Sequence, residues 1–268
     1  MRRSENNNRI TSREGRAHGG VLPLSARLRS VEKWLTDQQE KKGRWLEYLM
    51  TVIMLFIVAA LAIPSTSVSA KLGLPMNRDV VVLDAGHGGV DPGKVGAGNV
   101  LEKDINLIIV LKLKEYLQAN GVTVYLTRDS DEGLYGEGDS NKKNADMRAR
   151  CVFIEEKTPD LALSIHQNSY SDPSVCGPQV FYYKDSEKGQ QLAKCLQDRL
   201  NAMPECKKAR AIKANTDYYL LLNVNCPIVI AETGFLSNPT EAQLLKTEAY
   251  QDRLAWELCL GVLEYLNR

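Results

Sequence analysis

Five short apolar runs set the rhythm of the chain beyond residue 78: Val80–Leu83, Val122–Leu126, Leu161–Ile165, Gln179–Tyr183 and Pro227–Ala231. Each is four or five residues long and rich in β-branched or aliphatic side chains, the pattern of a buried strand. Between them the apolar period changes to that of helices. Leu101–Ala119 places Ile105, Leu107, Ile108, Ile109, Leu111, Leu113 and Leu117 on one broad face, and Asn120-Gly121 stops it. Asn144–Glu156 and Gly189–Leu200 read as further helices, Asn238-Pro239 opens another in cap-then-proline order, and Thr247–Leu266 is a long closing helix. Arg128–Lys143 has no period and is expected to be a long surface loop beside the active site. Strands alternating with helices predict a three-layer α/β/α domain over residues 78–268, with a central mostly parallel or mixed sheet.

Upstream the pattern is different. Tyr48–Ile63 runs sixteen residues without a charge, preceded by Lys41, Lys42 and Arg44 and followed by Pro64 and a Ser/Thr cluster. Residues 1–44 carry eleven Lys/Arg against five Asp/Glu, a net of +6, so the remainder of this +1 chain carries −5. A basic leader running into an apolar segment points to export rather than to nucleic acid. Two export readings follow: a signal peptide cleaved near Val68-Ser69-Ala70, or an uncleaved single N-terminal membrane segment, which the length of the leader favours. The resulting organisation is a basic, mostly disordered leader (1–44), in which Leu28–Leu35 is open to a short helix, a hydrophobic segment (45–64), a linker (65–77) and the folded domain (78–268). The domain is then expected outside the cytoplasmic membrane. It contains Cys151, Cys176, Cys195, Cys206, Cys226 and Cys259 with no C-x-x-C pair, which favours mostly free buried thiols over a zinc knuckle.

Candidate chemistry gathers at the ends of the strands, where ligands bind in sheets of this kind. After Leu83 the chain reads Asp84-Ala85-Gly86-His87-Gly88-Gly89, with six glycines between Gly86 and Gly98. The spacing matches neither G-x-x-x-x-G-K-[ST] nor G-x-G-x-x-G, which argues against a phosphate cradle. The whole chain has three histidines: His18 in the leader, then His87 and His166, each at the end of a predicted strand. Zinc hydrolases use three protein ligands and keep a fourth position for water. A carboxylate is therefore needed beside His87 and His166. Glu102, at the mouth of a helix, leads Asp84, Asp91 and Asp104 for that role. A second carboxylate is needed to take a proton from water and pass it to the leaving nitrogen. Glu232 stands at the end of an apolar strand, where burial raises a carboxyl pKa; capping the next loop is an equal reading of the same position.

Taken together, Leu83–Gly89 with Asp91-Pro92-Gly93, Glu102–Leu107, Leu126–Asp129, Ser164–Asn168 and Glu232–Asn238 resemble the zinc-dependent N-acetylmuramoyl-L-alanine amidases of the amidase 3 type. The resemblance covers roughly residues 78–267. It implies one Zn2+ per chain held by His87, Glu102 and His166, with Glu232 as the catalytic carboxylate. The reaction it implies is hydrolysis of the amide between the lactyl group of N-acetylmuramic acid and L-alanine in peptidoglycan. The family's Ala-Asn pair after the helix that bears Arg150 is missing here.

Asn141–Lys143, Asp146–Arg150, His166–Tyr170 and Phe181–Ser186 are similar to the germination-specific (CwlD-type) amidases of spore formers, although the leader is longer than that type carries. That similarity implies spore cortex peptidoglycan as substrate, processing toward muramic δ-lactam, and an accessory lipoprotein as partner. Asn168 is expected to contact substrate or to orient His166. Tyr218, beside Tyr219, is expected to line the groove or to pack. Arg128 and Arg150 are expected to meet carboxylates of the peptide stem or to form structural ion pairs. Two other functions stay open: a related zinc peptidase or deacylase acting on another wall amide, and a wall-binding protein without catalysis. The latter does not need all four site residues, which are intact.

Overall fold

Residues 80–85 (Val80–Ala85, β1) alternate their side chains between two cores: Val81, Leu83 and Ala85 enter one apolar cluster and Val82 the other. That two-sided burial places β1 inside a sheet covered on both faces. The computed structural model describes residues 24–62 and 79–268 except Ala97, so the linker 65–77 and the cleavage-like Val68–Ala70 lie outside the described residues.

The sheet has six strands. β4 (Thr123–Leu126), β1, β5 (Leu161–Asn168) and β8 (Ile228–Phe235) run parallel, β6 (Gln179–Tyr183) is antiparallel to β8, and β7 (Lys213–Asn215) closes the edge beside β6. The order is β4-β1-β5-β8-β6-β7, and the sheet is mixed. One face is covered by α2 (Glu102–Ala119), α4 (Glu187–Ala202) and α7 (Glu248–Leu266), which supply Ile109, Leu196 and Leu258 to the larger core. The other is covered by α3 (Lys142–Lys157) and α5 (Tyr219–Asn223), which supply Ile154 and Leu220. This is the expected three-layer α/β/α arrangement. A short α6 (Pro239–Leu245) begins where Asn238 accepts from Glu241 N–H and Pro239 takes the first helical turn.

Several elements differ from the sequence reading. A two-stranded hairpin of β2 (Val95–Gly96) and β3 (Val100–Leu101), together with β7 and α5, is too short to leave a periodic signal. β8 continues past Glu232 to Phe235, because Thr233 and Phe235 are themselves good strand residues. All six cysteines are free.

Contacts divide the chain into two units between Ile63 and Pro64. The first contains α1 (Leu24–Ala62), one helix of 39 residues. Residues 24–44, part of the leader expected to be mostly disordered with Leu28–Leu35 open to a short helix, belong to this helix, and residues 1–23 lie outside the described residues. Residues 24–44 are dominated by Leu, Arg, Lys, Glu and Gln without a proline, so helix propensity carries straight across that boundary. Among the described residues no helix is long and apolar enough to cross a membrane. The expected membrane segment is therefore not shown, its uncharged run being shorter than the roughly 20 residues a span needs.

Candidate metal centre

Three segments far apart in sequence converge at the carboxyl ends of β1, β5 and β8. β1 stops at Ala85, and His87 follows in the left-handed region at φ 63°. Such a backbone is strained for a residue with a Cβ and persists only where its surroundings hold it. Arg150 does the holding: its Nη2 donates to the His87 carbonyl at 2.6 Å and its Nη1 to the Ala85 carbonyl at 2.8 Å. The β2–β3 hairpin then folds the glycine-rich chain back. Glu102 N–H donates to Lys94 O and Lys103 N–H to Pro92 O, so the first turn of α2 returns beside His87. β5 delivers His166 from the neighbouring strand.

The ligand atoms of His87, Glu102 and His166 all lie within 4.8 Å of one another. Glu102 Oε1 is 3.2 Å from His87 Nε2 and 3.0 Å from His166 Nδ1. Two glycines leave room for this. A Cβ on Gly86 would stand 2.3 Å from the His166 imidazole, and one on Gly93, at φ 65°, 2.6 Å from both His87 and Glu102. Two of the three are also oriented from behind. Asp91 Oδ2 meets His87 Nδ1 at 3.0 Å, while Glu102 Oε1 accepts from Gln167 N–H at 3.0 Å and Oε2 from Lys94 N–H at 2.8 Å. Carboxylate and backbone partners of this kind fix the ligands of metal sites.

The donor set fits zinc. Two imidazole nitrogens and one carboxylate oxygen, all uncharged or anionic and all within reach of one point, form the three-ligand pattern of a hydrolytic zinc. Burial alone raises the Glu102 pKa, but the hydrogen bonds and charges of His166 and His87 overcome it and hold Glu102 well below the ordinary carboxylate range. Burial lowers the His87 pKa, and its bonds to Glu102 and Asp91 more than reverse that, leaving it raised.

Glu232 behaves oppositely. It pairs in register with His166 across β5 and β8. It is 8% exposed, its Oε2 is buried with no hydrogen-bond partner among the described residues, and burial pushes its pKa up to about 7. A carboxylate left without a donor is expensive, and such groups concentrate at working sites.

The cleft above these residues, of about 300 Å³, is lined by His87, His166, Glu232, Tyr218, Lys143 and Met147 among others. Tyr218 both lines it and packs, its ring 5.4 Å from Phe181. Asn168 sits just past a β-bulge and accepts from Ser169 N–H, outside the cleft lining. Arg150 is 1% exposed and its donors go to Asp84, Asp146, Ala85 and His87. Arg128 is likewise buried, donating to the carbonyls of Ala85, Gly86, Lys103 and Ser130. Both arginines thus support the loop of His87, which favours the structural alternative of the two readings given for them. Asp84 is buried within the Arg150 network, and Asp104 is exposed on α2.

The sequence reading missed a polar layer beneath the ligands. Asn106 Nδ2 donates to the Gly86 carbonyl, Gln167 Nε2 donates to Asn106 Oδ1, and Thr233 Oγ1 donates to Gln167 Oε1. Polar residues adjacent to ligands in otherwise apolar elements were the available signal. The loop 128–141 braces the same site from outside, with Asp131 accepting from Gly89 N–H and Lys103 Nζ.

The family model for N-acetylmuramoyl-L-alanine amidases of the amidase 3 type matches residues 81–264, all of the sheet but Val80, and includes His87, Glu102, His166 and Glu232. The chain belongs to this amidase family. It is 37% identical over 232 residues to the germination-specific N-acetylmuramoyl-L-alanine amidase of Bacillus subtilis, covering 85% of this chain and 96% of that one. Among solved structures, the CwlD amidase of Clostridioides difficile in complex with the GerS lipoprotein superposes with a TM-score of 0.69 at 38% identity, over 71% of this chain and 99% of that one. An N-acetylmuramoyl-L-alanine amidase of Clostridium difficile gives 0.64 at 30% identity, over 71% and 98%. The resemblance read from the motifs is thereby confirmed at the level of family, and the reading as an enzyme with it.

Proposed function

We propose that this amidase is zinc-dependent and acts on spore cortex peptidoglycan, cleaving the bond between the lactyl group of N-acetylmuramic acid and L-alanine. The observation that carries the reading is the convergence of His87, Glu102 and His166, ligand atoms within 4.8 Å, beside a buried Glu232 whose Oε2 lacks a partner. When bound, zinc supplies Lewis acidity toward the amide carbonyl and lowers the pKa of water toward neutrality. Glu232, buried beside the three candidate ligands and pushed up to about 7 by that burial in the metal-free chain, would be suited to accept a proton from an attacking water and to return one to the departing amine. His87 and His166 are held by Asp91 and by strand pairing, so the site needs little rearrangement to work.

The cortex assignment rests on similarity to the germination-specific relative and to the CwlD amidase. The GerS complex of the latter supports an accessory lipoprotein as partner. The basic leader and the uncharged run Tyr48–Ile63 support export, with that segment kept as a membrane anchor or cleaved as a signal peptide and the catalytic unit outside the cytoplasmic membrane.

The test is zinc content and product analysis with Glu232→Ala alongside. About one zinc per chain, new L-alanine amino termini from purified cortex, and turnover at least a hundredfold lower in Glu232→Ala with metal retained are expected. Release of any other amine, or undiminished turnover in Glu232→Ala, would reject the assignment.

A further inference from the structure

The burial of Arg128 and Arg150 leaves a question of recognition open. In muramyl peptides the L-alanine is followed by a γ-linked D-glutamate, whose α-carboxylate is either free or amidated. That group lies two residues from the scissile bond, on the order of 7 Å along an extended chain. It is the first anion a substrate presents beyond the reacting amide. A site that accepts it needs a cation with donors available.

The described residues lining the cleft include two cations, Arg150 and Lys143. Arg150 is buried and its guanidinium is engaged with four protein partners. Lys143 is different. It stands in the first turn of α3 at the rim, with its side chain 69% exposed. Among the described residues its one ion pair is with Asp91 at 3.7 Å, longer than a hydrogen bond. Asp91 is itself committed elsewhere, Oδ2 to His87 Nδ1 at 3.0 Å and Oδ1 to Gly93 N–H at 3.1 Å. Neighbouring Lys142 is turned away, over the Tyr135 ring at 5.2 Å, and Lys103 is bound to Gly89 O and Asp131. Lys143 therefore has ammonium donors facing the cleft two contacts from a metal ligand. Tyr218 and Tyr219 line the same cleft and offer apolar surface to a peptide.

We propose that Lys143 is a specificity-determining residue that binds the free α-carboxylate of the second stem residue, so that the enzyme prefers stems with D-glutamate over stems with D-isoglutamine. The inference rests on the amidase reading above. It assigns recognition of the stem to an exposed cation at the rim, and leaves the buried arginines to hold the His87 loop.

Two glycan fragments differing only in carboxylate or amide at that position test it, with the zinc-loaded full chain. Wild type is expected to show a KM about fivefold lower for the carboxylate fragment, the size of one partly exposed charge-assisted contact. Lys143→Met is expected to close that gap, the effect falling on KM rather than kcat, and Lys143→Arg to restore most of it. Calorimetric binding of both fragments to Glu232→Ala gives a readout independent of turnover. Equal KM values in wild type, or a preference that survives in Lys143→Met, overturns the role of Lys143 and leaves the reaction standing. Binding with carboxylate preference but no turnover in wild type overturns the reaction and keeps the role. Failure of both fragments to bind overturns both.

Discussion

Two glutamates within one site carry opposite electrostatics, and the cause is visible in their partners. Glu102 is surrounded by imidazoles and backbone N–H donors and stays ionised; Glu232 is buried with one oxygen unpartnered and holds its proton up to about 7. Environments that push two carboxyls apart in this way support the proposed division between ligand and proton carrier. The stability consequence has a definite sign. The folded-state pKa of Glu232 lies above its unfolded value near 4.5, so the folded chain binds the proton more tightly. Without metal, stability is therefore greatest below about pH 4.5 with respect to this group, declines as pH rises to about 7, and stays lower beyond. Glu232→Gln removes that loss: denaturant unfolding of the metal-free protein should show the variant more stable by up to roughly 3 kcal/mol at pH 8, with the gap vanishing near pH 4. A gap independent of pH would mean that Glu232 is not buried as a charged group.

At the level of elements, the proposed metal ligands depend on a close crossing of the β1 loop over β5. Gly86 passes so near His166 that any side chain must displace the imidazole. Gly86→Ala is accordingly expected to keep the α/β spectrum in circular dichroism, to cost about 1–3 kcal/mol of stability, and to weaken zinc binding at least tenfold in a chelator competition. Unchanged zinc affinity would show that the loop can move aside at no cost. The elements themselves were largely legible beforehand. Apolar runs such as Leu161–Ile165 and the 3.6-residue period of α2 record burial directly, because a strand covered on both faces has to be continuously apolar. β2, β3 and β7, of two or three residues each, and the little more than one turn of α5 were not legible, since a strand of two or three residues or a single helical turn cannot display a period. The continuation of β8 through Glu232 was hidden by the same rule, an ionisable residue having been read as the end of a strand rather than as a working group within one.

For the molecule as a whole, the ligands tie together α2, β5 and the loop after β1, elements that the sheet already joins. A metal that binds only the folded state stabilises it by about 4 kcal/mol at a thousandfold excess over Kd. For a catalytic unit of this size that corresponds to roughly 8–16 °C. Chelation should lower the Tm of the catalytic unit by that order and added zinc should restore it. A Tm indifferent to chelator would mean that the three ligands do not hold metal in the folded chain.

The division between what sequence determined and what tertiary structure decided follows from the range of the forces involved. Local burial fixes strand and helix patterns, and strand ends fix where chemistry gathers, so His87, His166 and Glu232 were identifiable from their positions in the chain. Glu102 was preferred among four carboxylates, and the hairpin that returns it to His87 gives that preference its structural basis. Which cation is free to meet a substrate was beyond the sequence. Arg150 and Arg128 differ from Lys143 in what lies around them, through bonds reaching 66 and 43 residues along the chain to Asp84 and Ala85. Whether a charge is satisfied within the protein is a property of long-range packing, and only the folded chain decides it.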